Sequence, residues 1–253
     1  MRNFAPTLPR LAGLLAVVVI SACSADSPMD PLASSYAKGG HKPPPPPPPA
    51  HDPILFVHGL NANSSTWSTM VSRFTSDGWT SAELVNWSYD YTKSNATTAN
   101  LIAKKVDSIL KATGASKVDI ITHSMGAMSA RYYVKNLGGD GKVDALVTLG
   151  GANHGTTTAS LCSFVWISCV EMIPGSNFLN TLNAGDETWG TPRYGTWYSP
   201  CDEVIIPNSS ALLDGAVNTQ TACLQHSQLH EDSTVYAQVR DWVIFAPVLA
   251  VAP

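Results

Sequence analysis

Ser124 stands in Thr122-His-Ser-Met-Gly126, between an apolar, β-branched run that begins at Val118 and a helix-like pattern that follows directly. Downstream lie Asp202, in Cys201-Asp-Glu203, and two histidines four residues apart, His226 and His230. A serine hydroxyl becomes a useful nucleophile when a histidine takes its proton. That histidine in turn needs a carboxylate to orient the ring and balance the imidazolium. Serine, then acid, then histidine is the chain order this chemistry takes when the serine sits on a sharp strand-to-helix turn. Such a turn brings the two backbones close, so small residues are wanted two places either side of the serine. Gly126 meets that condition, and Thr122 stands where glycine is usual.

The competing side chains are weaker choices. Asp119 falls inside the strand before Ser124, Asp144 opens a strand at the wrong end of a sheet, and Asp214 is a fallback at a turn-like Asp-Gly. His123 adjoins the serine but should point away from a cleft, which suits a structural role. His154 precedes the acid and breaks the order. His226 and His230 are not separated by local chemistry. A developing alkoxide needs donors fixed in advance; the backbone N–H of Met125, next to the nucleophile, and that of Leu60, after His58-Gly59, are placed to supply two.

The elements that must carry these residues alternate. Ile54–Val57, Glu83–Tyr89, Val118–Thr122, Val143–Leu149 and Arg193–Tyr198 read as strands, with a weaker one at Gly215–Leu224. Thr66–Ser76, Asn100–Thr113, Met125–Leu137 and Ser233–Phe245 read as helices by their apolar spacing and flanking glycines. Alternation of this kind implies an α/β fold, a mostly parallel sheet covered on both faces. Ligands of such sheets bind at the carboxyl ends of the strands. His58-Gly-Leu60, Ser124, Asn153-His-Gly155, Cys201-Asp-Glu203 and the His226–His230 segment all follow strands.

The chain has 253 residues, 44 % hydrophobic, and a formal net charge of -4. One domain of ordinary size fits this length, and the weak acidity offers no basic footing for nucleic acid. Residues 1–22 read as a signal peptide, with Arg2 and Arg10 ahead of an apolar stretch from Leu11 to Ile20 that is short for a membrane span. Ile20-Ser-Ala-Cys23 resembles a lipobox, which would leave Cys23 N-terminal, lipidated and tethered to a membrane; an ordinary secretory signal is the alternative. Residues 23–51 read as a linker, in which the seven prolines Pro43 to Pro49 would span roughly 20 Å as a semi-rigid spacer. Residues 52–253 are left as one catalytic domain, expected to be monomeric. In an exported chain Cys162, Cys169, Cys201 and Cys223 are expected to form two disulfides. Of three pairings, Cys162–Cys169 and Cys201–Cys223 are the local ones. Neither spacing suits a zinc site.

Several longer stretches carry a resemblance. They are Pro53-Ile-Leu-Phe-Val-His-Gly-Leu60, Lys117-Val-Asp-Ile-Ile-Thr-His-Ser-Met-Gly126, Tyr132-Tyr-Val-Lys-Asn-Leu-Gly-Gly139 and Val147-Thr-Leu-Gly-Gly-Ala-Asn153. Ser199-Pro-Cys-Asp-Glu-Val-Ile205 and Leu229-His-Glu-Asp-Ser-Thr-Val-Tyr-Ala-Gln-Val239 complete the set. Together they resemble the small lidless class 2 lipases of bacilli and actinobacteria, in the α/β-hydrolase superfamily, over nearly all of 52–245. The resemblance implies a minimal α/β-hydrolase fold and hydrolysis of carboxylic esters or lipids without metal or organic cofactor. It places nucleophile, acid and base on Ser124, Asp202 and His230, and the oxyanion donors on Leu60 and Met125. Alanine is common in bacillus relatives at the position of Thr122. The longer region Gly155 to Thr191 resembles the actinobacterial branch and is expected to border the acyl pocket. Acyl transfer or polyester cleavage on the same triad, and a non-catalytic surface protein of the same fold, are the alternatives.

Overall fold

The sheet order explains how the strand ends converge. In a computed structural model, which describes residues 49–244, six strands lie in the order β2-β1-β3-β4-β5-β6, all parallel. They are β1 (Ile54–Val57), β2 (Leu84–Asn86), β3 (Val118–His123), β4 (Val143–Leu149), β5 (Arg193–Tyr198) and β6 (Val217–Gln220). The helices are α1 (Ser68–Ser76), α2 (Asn95–Thr113), α3 (Gly126–Asn136), α4 (Ile167–Met172), α5 (Asn177–Asn183) and α6 (Ser233–Ile244). The described residues all belong to one compact unit, Pro45–Pro253. The expected signal segment, Cys23 and most of the expected linker lie outside them.

Residues of a strand alternate between faces, and the core divides accordingly. Ile54, Phe56, Ile121, Val147 and Trp197 pack with Met70 and Phe74 of α1 and with Val235, Tyr236 and Val239 of α6. Leu55, Val57, Ile120 and Leu146 pack on the other face, with Ile102, Val106 and Ile109 of α2 and Ala130, Tyr133 and Val134 of α3. The chain runs from β1 outward to β2 and returns past it to β3. Loops leaving β1 and β3 therefore part at a switch point, where a crevice opens.

Three boundaries differ from the sequence reading. Helix α2 begins at Asn95, more than a turn earlier than the apolar spacing predicts: Ser94 caps it, its hydroxyl accepting from the N–H of Ala96 at 3.2 Å, and a distant carboxylate reinforces the cap. Glu171 accepts from the backbone N–H and side-chain amide of Asn95 at 2.7 and 2.9 Å and from the Ser94 hydroxyl at 2.6 Å. Helix N-termini present unpaired N–H groups and a partial positive charge, so a carboxylate there is stabilising. Strand β2 is short and at one edge of the sheet, and β6, at the other edge, keeps only four residues, mostly exposed. An edge strand pairs on one side only, so pairing ends sooner than its composition suggests.

The carboxylates excluded from the site are found at the opposite end of the sheet. Asp119 Oδ1 accepts from the N–H of Ala145 at 3.0 Å, filling an irregularity where β3 and β4 shift register. Asp144 pairs with Arg193 at 2.7 Å and Lys117 at 3.5 Å. Burial first, then the neighbouring Asp52 and Asp144, raises the Asp119 carboxyl well above its usual range.

The aromatic pairs under β1 give a test of the packing. Phe56 is fully buried between Trp67 and Phe74, with ring centroids 5.2 and 6.1 Å away. Phe56→Ala is expected to lower the unfolding free energy by about 3–5 kcal/mol, read by denaturant titration. A loss below about 1 kcal/mol would show that the site collapses without a cavity.

Candidate active site

Ser124 lies at the turn between β3 and α3 with φ of +57°, a left-handed conformation rare for a residue with a side chain. Its backbone is tied on both sides: its N–H donates to Leu149 O at 3.0 Å, and its carbonyl accepts from Ala127 and Ala152, each at 3.2 Å. The turn leaves no room beside it. A Cβ on Gly126 would lie 2.6 Å from His58 O and 2.7 Å from Val57 O, and one on Gly59 would lie 2.7 Å from Ser124 Cβ. Gly126 thus fills the need for a small residue that the pentapeptide announced.

Thr122 finds its place one position further back than the crowding. Fully buried in β3 between Val57 and Thr148, it donates its hydroxyl to Val147 O at 2.9 Å. The extra polar atom is satisfied inside the sheet, and the close approach at the turn falls on Gly126 and Gly59 instead.

The loop after β1 is held by His58. Its Nδ1 donates to Gly59 O at 2.8 Å, and its Nε2 accepts the N–H of Tyr89 at 3.3 Å, while the Tyr89 ring stacks on it at 3.9 Å. This pair of bonds defines the neutral tautomer, and burial lowers the basicity of the ring accordingly. In a trans peptide the C=O and N–H point oppositely. Fixing Gly59 O therefore turns the N–H of Leu60 the other way. Leu60 lines the same cavity as Ser124, and Met125, whose N–H heads α3, is buried beside Leu60 in one apolar cluster.

Asp202 follows β5 and is almost completely buried. Its Oδ1 accepts from the N–H groups of Val204 and Ile205, both at 2.9 Å, and its Oδ2 accepts Nδ1–H of His226 at 2.8 Å. His226 is further held by its backbone: its N–H donates to Glu203 Oε2 at 2.9 Å, and its carbonyl accepts from His123 Nε2 at 3.0 Å.

The carboxylate partner is therefore His226, where the sequence resemblance points to His230. Both lie on one 3-10 turn, His226–His230. Residues three apart eclipse on such a turn and residues four apart diverge by a third of a revolution, so one carboxylate serves only one of them. His230 instead lies 5.9 Å from the Trp67 ring and 4.8 Å from that of His123, and its Nδ1 has no hydrogen-bond partner among the described residues. Burial lowers its basicity. The position of His226 follows from the disulfide Cys201–Cys223, which joins the acid loop to the segment just before it. The buried Ser199 hydroxyl adds to the clamp, donating to Leu224 O at 2.5 Å and accepting from the N–H groups of Leu224 and Cys201 at 2.9 and 3.1 Å.

A cavity of about 330 Å³ joins Ser124, His226 and His230 with Leu60, Asn61 and Val204, and His123 also lines it, against the expectation that it points away from the cleft. The second expected disulfide, Cys162–Cys169, is also formed, in the segment that follows β4. His154, by contrast, bonds Glu187 at 2.7 Å and takes no part in the cavity lining. Glu203 and His58 fall in strand-end segments that the sequence points to, but it assigns neither of them a role of its own.

Residues 51–241 match the family described as Lipase (class 2). The chain belongs to the class 2 lipases. This lipase is similar in fold to the mature form of Bacillus licheniformis lipase BlEst2, at 18 % identity and a TM-score of 0.68, covering 80 % of this chain and 96 % of that one. It is also similar to Aspergillus fumigatus lipase B, at 18 % identity and a TM-score of 0.67, covering 77 % of this chain and 53 % of that longer one. A third likeness, at 17 % identity and a TM-score of 0.54, is to an α/β hydrolase, MGS-MChE2, from a metagenome of lagoon sediments at Mar Chica, Morocco; it covers 77 % of this chain and 91 % of that one. The parallel sheet and these likenesses establish the α/β-hydrolase fold. Two disulfides fit an exported protein, and no helix among the described residues is long and apolar enough to cross a membrane.

The histidine cluster makes stability depend on pH. Burial, then the neighbouring His226 and His230, holds His123 well below its ordinary value of 6.5, so the folded ring is neutral, with Nε2 carrying the proton it donates. A base whose folded value is depressed contributes stability that is present above the unfolded value and lost as pH falls below it. His123→Gln, whose amide can still donate to His226 O, is expected to lose about 1 kcal/mol less than the unaltered protein between pH 7.5 and 5.5. Equal losses in denaturant titrations of both proteins would contradict a neutral buried His123.

Proposed function

We propose that the chain is an exported serine ester hydrolase, a lipase or carboxylesterase, working through Ser124, His226 and Asp202. The observation that carries this reading is the 2.8 Å bond between Asp202 Oδ2 and His226 Nδ1, in a cavity that Ser124 and His226 share. A histidine that donates Nδ1–H to a carboxylate keeps Nε2 free to accept a proton. In the reaction, Ser124 Oγ attacks the ester carbonyl as Nε2 takes its proton, and the oxyanion forms against the N–H groups of Leu60 and Met125. The tetrahedral intermediate collapses with the alkoxide leaving as alcohol, carrying away the proton from His226. Water then attacks the acyl-enzyme, His226 again taking a proton, and Ser124 is regenerated as the acid departs. Removing one fixed oxyanion donor typically costs about 3–4 kcal/mol, which gives the bond between His58 and Gly59 a role in positioning the Leu60 peptide.

Export and a tether through Cys23 belong to the same proposal. Their support is the tetrapeptide Ile20-Ser-Ala-Cys23 and the two disulfides, which form and persist in oxidising compartments.

Hydrolysis of aryl esters of graded acyl length tests the reading. Ser124→Ala is expected to lower kcat by at least about a thousandfold, and Asp202→Asn by about ten thousandfold, through loss of the correct histidine tautomer. An alanine variant that keeps most of the activity would remove Ser124 from the mechanism.

A further inference from the structure

Between Gly155 and Val170 sixteen consecutive residues carry no Asp, Glu, Lys or Arg. In a protein whose surface must usually be charged, this segment also exposes large apolar side chains. Phe164 is 82 % exposed, Leu161 77 %, Val165 59 % and Ile167 50 %. Isolated exposed apolar residues are ordinary, but a contiguous apolar patch marks a surface that meets something. The carboxylate that follows, Glu171, is turned inward onto Ser94 and Asn95 and adds no charge to this face.

The patch is held outward by construction. Cys162–Cys169 closes the loop that carries Phe164 and Val165. Beneath it, Cys162, Trp166 and Cys169 pack in the same apolar cluster as Leu60, Met125 and Val204. The segment is pinned to the rim of the site as well: the hydroxyls of Thr156 and Thr158 donate to Val204 O at 2.6 and 2.9 Å, and Val204 lines the cavity containing Ser124. The neighbouring Ile206, whose carbonyl accepts from the N–H of Thr157 at 3.0 Å, is itself 42 % exposed and extends the apolar surface along that rim.

We propose that this disulfide-closed, uncharged segment is the face by which the protein seats on the surface of an uncharged lipid aggregate, next to the mouth of the Ser124 cavity. The lack of ionisable groups argues for a neutral surface over an anionic one, since attraction to anionic lipid draws on Lys and Arg. As a statement about how an ester substrate is met, the proposal rests on the hydrolase reading above. The physical docking does not, so the two can fail separately.

The test compares the full chain with Leu161→Ser/Phe164→Ser and, as an independent variant, Val165→Ser. Partition onto a triacylglycerol emulsion is read by flotation in a Ser124→Ala background, and hydrolysis of the emulsion and of a water-soluble aryl ester is read with Ser124 present. All forms carry Cys23→Ser, so that attachment through a lipid at that position does not mask the contribution of the segment. The double variant is expected to lose at least about tenfold in both partition and emulsion hydrolysis, with soluble-ester turnover within twofold, and Val165→Ser to lose less in the same direction. Unchanged partition and emulsion hydrolysis would overturn the proposal, as would loss of the soluble-ester turnover in step with the emulsion turnover in both variants. So would a dimer, seen by sedimentation, that the double variant dissociates without affecting partition. If no ester is turned over but partition still falls in the variants, the docking face stands and the hydrolase reading fails.

Discussion

Everything in the site depends on one backbone constraint, the left-handed conformation of Ser124 at the end of β3. Residues held there cost of order 1–3 kcal/mol and persist only when their surroundings over-determine them. Here the surroundings are two strand ends and a helix start, brought so close that neither Gly59 nor Gly126 can carry a Cβ. The strain leaves the serine at the carboxyl edge of a parallel sheet, directly before α3, where the loop after β1 also arrives. The fully buried β1 and β3, with Phe56 and Ile121 on one face and Leu55 and Ile120 on the other, supply the rigid frame that maintains it.

The second half of the site is assembled from further along the chain, and it is stapled as well as packed. Asp202 and His226 come from loops that a disulfide and the Ser199 hydroxyl hold together. Each end of the His226 backbone is also bonded, to Glu203 and to His123. Such redundancy keeps one nitrogen of the His226 ring on the Asp202 carboxylate. It also accounts for His123, which is neutral and buried and, while lining the cavity, bonds the backbone of the turn that carries His226.

Much of this was legible in the sequence, and the exceptions have physical causes. The apolar run at 54–57 and the mostly apolar stretch 143–149, broken only by Asp144 and Thr148, read as the buried strands they are, and the cysteine spacings 162–169 and 201–223 are close enough to pair locally, as they do. The start of α2 was missed although its cap, Ser94, is local, because its first residues, Asn95-Ala-Thr-Thr98, carry no large apolar side chain; the carboxylate that reinforces the cap, Glu171, comes from a segment 76 residues away. Nor could it be read which of His226 and His230 bonds Asp202, since that turns on the phase of one 3-10 turn and on a disulfide just before it. Thr122 looked like a defect in a five-residue pattern; its hydroxyl is simply absorbed by the carbonyl of Val147 across the sheet.

The pairing of Asp202 with His226 is the most direct point of attack. The decisive measurement is kcat/KM toward one soluble aryl ester for His226→Gln and His230→Gln, with unfolding curves to show that both are folded. With His226 as the base, His226→Gln falls by at least about a thousandfold, roughly 4 kcal/mol of transition-state stabilisation, while His230→Gln stays within tenfold of the unaltered protein. An active His226→Gln beside a dead His230→Gln would contradict the pairing seen here and return the role to His230.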